Sequence, residues 1–197
     1  MLRRILPVLM LSTLLLTGCG SKAESQFHAA KLRLDEAEQV RFTAQLQADC
    51  GDALENYTLD YCFRADDWQA VVKSPEVLAG IKATCTDEDS TLTYDRVVLS
   101  TGQLTQRGTS PITAVPLMLR ALTEGITDSL WTEGEYLVSK QLLDDTLAVT
   151  TWMDGEGVPR AFELTENGIV KARCKFSYAE IKESNHGTTE ETHLGGD

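Results

Sequence analysis

Few side chains of this 197-residue chain could do covalent or acid–base chemistry. His28 lies close to the N-terminal segment, and His186 and His193 lie in a polar C-terminal stretch. None is expected in the rigid pocket that a general base needs. The chain has neither Gly-x-Ser-x-Gly nor a P-loop, and Gly155-Glu156-Gly157 lacks the third glycine of a dinucleotide site. Asp87-Glu88-Asp89 lacks the glycine and distant glutamate of an EF-hand. We expect no enzyme, no cofactor and no metal site.

The N-terminus gives one of the five cysteines a separate role. Arg3-Arg4 precedes an apolar run from Ile5 to Leu16, which is too short to span a membrane and is typical of a secretory signal. The run ends in Leu16-Thr17-Gly18-Cys19, which resembles the bacterial lipobox, where the cysteine thiol is acylated and the chain is cut before it. The sequence predicts a signal peptide over residues 1–18 and a lipid-attached, polar tether over residues 19–25. A signal peptide cut at small residues, without lipid, is the alternative.

The net charge of the chain bears on its partners and on its location relative to the membrane. The chain has 18 basic and 30 acidic residues, a net charge of −12, and loss of Arg3 and Arg4 with the signal peptide makes it −14. This excess argues against nucleic acid as a partner, because Lys and Arg drive phosphate binding. An anionic bilayer would repel such a domain, and only its acyl chains would hold it there. We expect a cell-membrane lipoprotein on the extracytoplasmic side.

The remaining cysteines are candidates for two disulfides, because an even number lies outside the cytoplasm. They are Cys50, Cys62, Cys85 and Cys174. Alternation of apolar and polar residues puts Cys50 in the buried phase of its strand and Cys62 on the opposite face, so these two should not pair. Cys85 and Cys174 share the apolar phase of Cys50. Buried free thiols are the alternative, and wide spacing without Cys-x-x-Cys argues against redox catalysis and zinc.

The hydrophobic pattern predicts a mainly β protein of the α+β class, an antiparallel sheet of about nine strands with two helices. The predicted strands cover residues 40–50, 57–64, 68–73, 81–86, 91–99, 135–140, 146–153, 158–164 and 169–178. One helix is predicted over Gln26–Gln39 and another within Ser110–Glu124, where Pro116 favours a late start. The polar sequence from residue 183 to 197 predicts a disordered tail.

Five short segments carry a family resemblance. They are residues 74–81 (SPEVLAGI), 92–95 (LTYD), 101–104 (TGQL), 110–116 (SPITAVP) and 152–154 (WMD). In this order the chain resembles the LolA/LolB-type lipoprotein carrier superfamily, and most closely the poorly characterised lipoproteins of Firmicutes within it. The resemblance implies that residues 26–182 form a half-open β-barrel whose concave face is closed by the two helices.

The resemblance implies two functions. In carriers of this shape a cavity between sheet and helices holds acyl chains; in this chain its lining would be Phe42, Leu46, Leu59, Tyr61, Trp68, Met118 and Leu122. The expected function is a lipoprotein that binds or carries a lipid or acyl chain. An apolar face of this kind is also what an ordinary core presents. The alternative is a non-catalytic scaffold for an envelope protein, since the chain is also similar to the clostridial germination lipoprotein that supports a cell-wall amidase.

Cys19→Ala should release the protein from membranes, because it removes the thiol that would receive the first acyl chain. Washed membranes and the soluble fraction are compared by immunoblot, with Cys50→Ala as the control. Continued tight attachment of the Cys19→Ala variant would refute the lipobox interpretation.

Overall fold

Long antiparallel strands and two helices make up the computed structural model, which describes residues 18–86, 88–102 and 110–183, with side chains from residue 22 onward. The helices are α1 (Gly18–Asp35) and α2 (Ala114–Glu124), and a 3-10 turn covers Glu76–Leu78. The strands are β1 (Ala37–Asp49), β2 (Leu54–Arg64), β3 (Asp67–Ser74), β4 (Lys82–Thr86), β5 (Ser90–Tyr94), β6 (Val97–Ser100), β7 (Ile126–Glu133), β8 (Tyr136–Leu142), β9 (Leu147–Met153), β10 (Pro159–Glu166) and β11 (Ile169–Glu183).

All eleven strands form one open sheet in the order β6-β5-β4-β3-β2-β1-β11-β10-β9-β8-β7. Every neighbouring pair is antiparallel. Hairpins and short connections join β1 to β6 in sequence and likewise β7 to β11, whereas α2 lies in the long connection from β6 to β7. The pairing of β1 with β11 joins these two halves of the sheet. The mainly β half-barrel fold with two helices is therefore confirmed.

One face of the sheet, the inner face, is covered by the helices and holds the core. β1 alternates strictly, with Val40, Phe42, Ala44, Leu46 and Ala48 buried. Apolar residues of the flanking strands continue this face, as period-two alternation requires. α2 adds an apolar face of its own, which includes Met118 and Leu122.

The structure contains two strands more than the pattern predicted. The single strand expected over residues 91–99 is a hairpin of β5 and β6, turned at Asp95-Arg96, where Asp95 has a φ of 53°. β7 was not predicted at all. Most of its side chains are exposed, so it lacks the alternation that marks a half-buried strand.

The helix boundaries also differ from the prediction. α1 spans residues 18–35 instead of 26–39, so it takes in the segment expected as a tether, and residues 37–39 already belong to β1. α2 begins at Ala114 with Pro116 in its first turn, as predicted. Within the described residues, no helix is both long and apolar enough to cross a membrane.

The C-terminal boundary of the sheet lies close to the predicted one. Glu183, expected at the start of the tail, is the last residue of β11 and pairs with Ala37. The predicted tail beyond it and most of the predicted signal peptide lie outside the described residues.

The turn between β9 and β10 packs directly on α1. Gly157 has a φ of +77°, and a Cβ added there would lie 2.7 Å from the Cβ of Ala30. Close by, the guanidinium of Arg33 donates to the carbonyl oxygen of Glu156 at 3.1 Å and pairs with Glu183 at 3.0 Å. These contacts hold α1 against the end of the sheet.

Gly157→Ala should lower the free energy of unfolding by about 1–3 kcal/mol, since the new methyl group both clashes with Ala30 and strains a left-handed backbone. Gly155→Ala is the matched control, because no atom lies within 4 Å of its added Cβ; its effect should stay within about 0.5 kcal/mol. Urea unfolding of both variants measures the difference, and equal midpoints would contradict the close packing of α1.

Candidate functional site

The residues predicted to line a lipid cavity lie on the inner face, inside the core. Their exposed fractions are Phe42 1 %, Leu46 2 %, Leu59 0 %, Tyr61 3 %, Met118 0 % and Leu122 1 %. Trp68 is half-buried at the margin of the same cluster. The structure therefore brings all seven together, and six of them are covered on all sides.

Aromatic rings fill the centre of this face. Phe42 stacks on Phe176 with ring centroids 4.4 Å apart and meets the edge of Phe63 at 6.3 Å. Phe63 in turn contacts Trp68 at 6.1 Å. Such offset and edge-to-face contacts add to the stability gained from burial alone.

The phenol of Tyr61 ties the segment before α2 to this core. Its hydroxyl donates to the carbonyl oxygen of Pro111 at 2.8 Å. Burial raises the pKa of Tyr61 well above its ordinary value, with the nearby Cys174 thiol adding to the shift. The hydroxyl therefore stays protonated and acts as a hydrogen-bond donor, which fixes residues 110–113 over the sheet.

Beneath α2 the core contains a cluster of three polar side chains that was not predicted from the sequence. Ser139, Gln141 and Thr151 are at most 1 % exposed. Thr127 donates to the Gln141 side-chain oxygen at 3.1 Å. In the described part of the chain, the Ser139 and Thr151 hydroxyls and the Gln141 side-chain nitrogen have no hydrogen-bond partner. Buried polar atoms of this kind favour a bound water molecule.

A long groove of about 1230 Å³ lies on the opposite face of the sheet. This outer groove runs across strands β2, β1, β11, β10 and β9. Its exposed and half-buried lining comprises Gln45, Gln47, Asn56, Tyr57, Thr58, Glu133, Glu135, Tyr136, Trp152, Asp154, Arg160, Ala161, Glu163, Arg173 and Lys175. Leu46, Phe162, Cys174 and Phe176, whose side chains belong to the core, also line the groove.

Charges in the outer groove are largely paired. Arg173 contacts Glu163 at 2.9 Å, and Arg160 contacts Asp154 at 2.7 Å. The indole N–H of Trp152 donates to Glu133 at 3.0 Å, which fixes the ring on the groove wall. The groove is thus a mixed polar and aromatic surface and does not resemble the apolar tunnel expected for an acyl chain.

A smaller cleft of about 510 Å³ separates α1 from the β7–β8 turn and the β9–β10 turn. Asp154 lies between this cleft and the outer groove, and it organises the turn. Burial by itself would raise the pKa of this carboxyl, but the backbone N–H of Val158, the Arg160 guanidinium and the N–H of Glu156 hold it below its usual value. The carboxylate is therefore charged near neutral pH and serves a structural purpose.

A continuous run of exposed apolar side chains lies at one edge of the sheet. On β6 the exposed fractions are 58 % for Val97, 62 % for Val98 and 58 % for Leu99, and the adjoining Tyr94 is 51 % exposed. The sequence did not reveal this surface, because the pattern treated residues 91–99 as one strand. An apolar edge strand of this kind is a surface where another chain can pair.

All four remaining cysteines are free. Cys85 on β4 and Cys174 on β11 share the inner face as predicted, but four strand spacings of about 4.8 Å separate them, far beyond the reach of a disulfide. Burial raises the pKa of both thiols, so they are poor nucleophiles. Cys50, predicted to be buried, is exposed because β1 ends at Asp49; Cys62 lies half-buried on the outer face.

Metal-binding side chains do not cluster in the described ranges 18–86, 88–102 and 110–183. Within them no three His, Cys, Asp or Glu side chains are grouped so as to hold a metal ion. His28 is exposed on α1, and the other two histidines lie outside these ranges. The side chain of Cys19 also lies outside the part described, so lipid attachment there stays a prediction.

No protein-family model matches the sequence, and no curated protein matches it. Solved structures do match. An uncharacterized conserved protein from Thermus thermophilus superposes with a TM-score of 0.51 at 12 % identity, covering 83 % of this chain and 89 % of that one. A LolA superfamily protein from Nitrosomonas europaea gives a TM-score of 0.42 at 10 % identity, covering 82 % and 94 %.

A third match comes from the complex of the CwlD amidase with the GerS lipoprotein from Clostridioides difficile. It gives a TM-score of 0.46 at 12 % identity, covering 83 % of this chain and 96 % of that one. The matching structures thus include the superfamily that the sequence predicted and a lipoprotein of Firmicutes. At these identities the likeness concerns the fold, an antiparallel sheet curled around two helices.

Proposed function

We propose that this protein is a non-catalytic lipoprotein, anchored through Cys19 on the extracytoplasmic side of the cell membrane, whose folded domain binds another envelope protein. One observation carries the proposal. Six of the seven side chains expected to line a lipid cavity are at most 3 % exposed, so side chains already occupy the space that a carried acyl chain would need.

The surface supports the same conclusion. Apolar side chains are exposed along β6, and the outer groove offers aromatic, amide and charged groups on a rigid sheet. Such mixed surfaces, with an apolar part and a polar surround, are typical of protein–protein contacts. A cell-wall amidase is the class of partner that the resemblance to the germination lipoprotein suggests.

Binding of a lipid on the inner face would require the helices to move away from the sheet. α2 would have to withdraw Met118 and Leu122, which are at most 1 % exposed, from the core. α1 would have to leave its close contact between Ala30 and Gly157. A lipid carrier of this fold would therefore begin from a filled state and open only on loading.

Affinity capture of the full-length protein from membranes of its own cells, after reversible chemical crosslinking, tests the proposal. We expect a single envelope protein to be enriched at least tenfold, with no stoichiometric lipid beyond the anchor in native mass spectra of the eluted protein.

The control carries residues 1–25 fused to an unrelated acidic domain, so that it shares the anchor and the charge but lacks the sheet. No enrichment over this control would contradict the scaffold. A lipid bound at one molecule per chain would favour the carrier instead.

A further inference from the structure

Strand β6 presents an unpaired backbone edge in addition to its exposed apolar side chains. We propose that β6 is the docking strand for the partner, and that the partner adds an extended segment of its own chain as a twelfth strand of the sheet. This inference rests on the proposed function and specifies the surface and the chemistry through which it acts. The segment we infer alternates apolar residues and carries Lys or Arg at one end.

The backbone of β6 is arranged to accept such a strand. The N–H of Thr101 donates to the carbonyl oxygen of Ser90 at 2.9 Å, and the register pairs Leu99 with Leu92. Hydrogen-bonded pairs alternate along an antiparallel ladder. The residues between them, Val98 and Ser100, therefore direct their N–H and C=O groups away from β5. Within the described residues no strand pairs with that side of β6.

The opposite edge strand, β7, has features that oppose pairing with another strand. β7 has a register irregularity between Thr127 and Ser129, and it carries Asp128 and Glu133. Bulges and charged side chains are the devices that prevent edge-to-edge pairing. β6 reads Val-Val-Leu-Ser and has neither device. An edge strand without a bulge or charged side chains is suited to pairing with a strand of a partner protein.

Acidic side chains near β6 favour a partner segment that carries a basic residue. The Ser100 hydroxyl donates to the Asp89 carboxylate at 3.1 Å, which places a negative charge at the C-terminal end of β6, and exposed Glu88 precedes it. The whole chain has a net charge of −12. A segment with a basic residue at the end that meets Asp89 would gain attraction both locally and during approach.

A second copy of the chain fits this edge less well. Two copies would bring together two chains that each carry a net charge of −12, through strands of only four residues. Such a contact lies well below the roughly 1,200 Å² that stable interfaces bury. A basic segment avoids the charge repulsion, and its flexibility lets it extend beyond the four residues of β6.

Site-specific photocrosslinking of the full-length protein in its membrane tests where the partner lies. The photoreactive residue benzoylphenylalanine is introduced at Val98, or at Thr132 on the β7 edge as the control. We expect the Val98 probe to label one envelope protein, within a segment of alternating apolar residues next to Lys or Arg. Adducts to a second copy, adducts to residues 103–109 of the same chain, or yields equal to those at Thr132 would overturn the inference.

A backbone variant then tests the bonding. Val98→Pro removes the outward N–H but no bond to β5, because this residue lies between the bonded pairs, and proline is tolerated at such edge positions. Val98→Thr keeps the N–H and the branched shape. With the captured partner we expect Val98→Pro to raise Kd at least tenfold and Val98→Thr to change it less than threefold, with urea midpoints confirming that both variants fold.

The two proposals can fail separately. If the partner binds Val98→Pro as tightly as the unmodified protein, the docking strand is wrong and the scaffold function stands. If the unmodified protein captures no partner, the scaffold function itself fails. Should Val98→Pro not fold, Val98→Lys replaces it, since a lysine on an edge strand opposes pairing while leaving the β5–β6 bonds intact.

Discussion

Antiparallel pairing between β1 and β11 is the constraint on which the rest of the molecule depends. These are the two longest strands, of 13 and 15 residues, and they join the N-terminal half of the sheet to the C-terminal half. Their register places Phe42, Ala44 and Leu46 opposite inward-facing residues of β11, which concentrates large apolar side chains at the middle of the inner face. α1 packs over β1 and β11, and α2 packs over the neighbouring strands β8 to β10. The chain itself therefore occupies the inner face, which leaves the outer face and the edges as the surfaces open to other molecules.

The two helices cover one half of the sheet more completely than the other half. α1 and α2 contact β7 to β11 and β1, whereas β4, β5 and β6 have no comparable helix contacts among the described elements. Exposure of apolar groups therefore rises from the centre toward the β6 edge. The buried Ser139, Gln141 and Thr151 lie on the covered side, where their unmet hydrogen-bonding capacity costs stability that bound water would offset.

Strands were predicted correctly from the sequence where one face is buried and the other is exposed to solvent. β1, β2 and β10 alternate in polarity, and their predicted bounds, like those of β9, agree with the structure to within a few residues. β7 escaped prediction because an edge strand has little to bury, and the β5–β6 turn was missed because Asp95 takes a left-handed conformation without a glycine. The outer groove and the open edge could not be predicted, since both arise from which strands are neighbours. The inner-face residues were identified as a group, but whether they enclose a cavity depends on how closely α2 approaches.

The proposed scaffold function rests on a filled inner face, and the unfolding free energy of Met118→Ala tests this premise most directly. Met118 is fully buried under α2. A filled core predicts a loss of about 2–5 kcal/mol in urea unfolding, against less than about 0.5 kcal/mol for Leu32→Ala, whose side chain is 46 % exposed on α1. A loss for Met118→Ala as small as that for Leu32→Ala would mean that the side chain lines open space, and it would contradict a filled inner face and the scaffold function that rests on it.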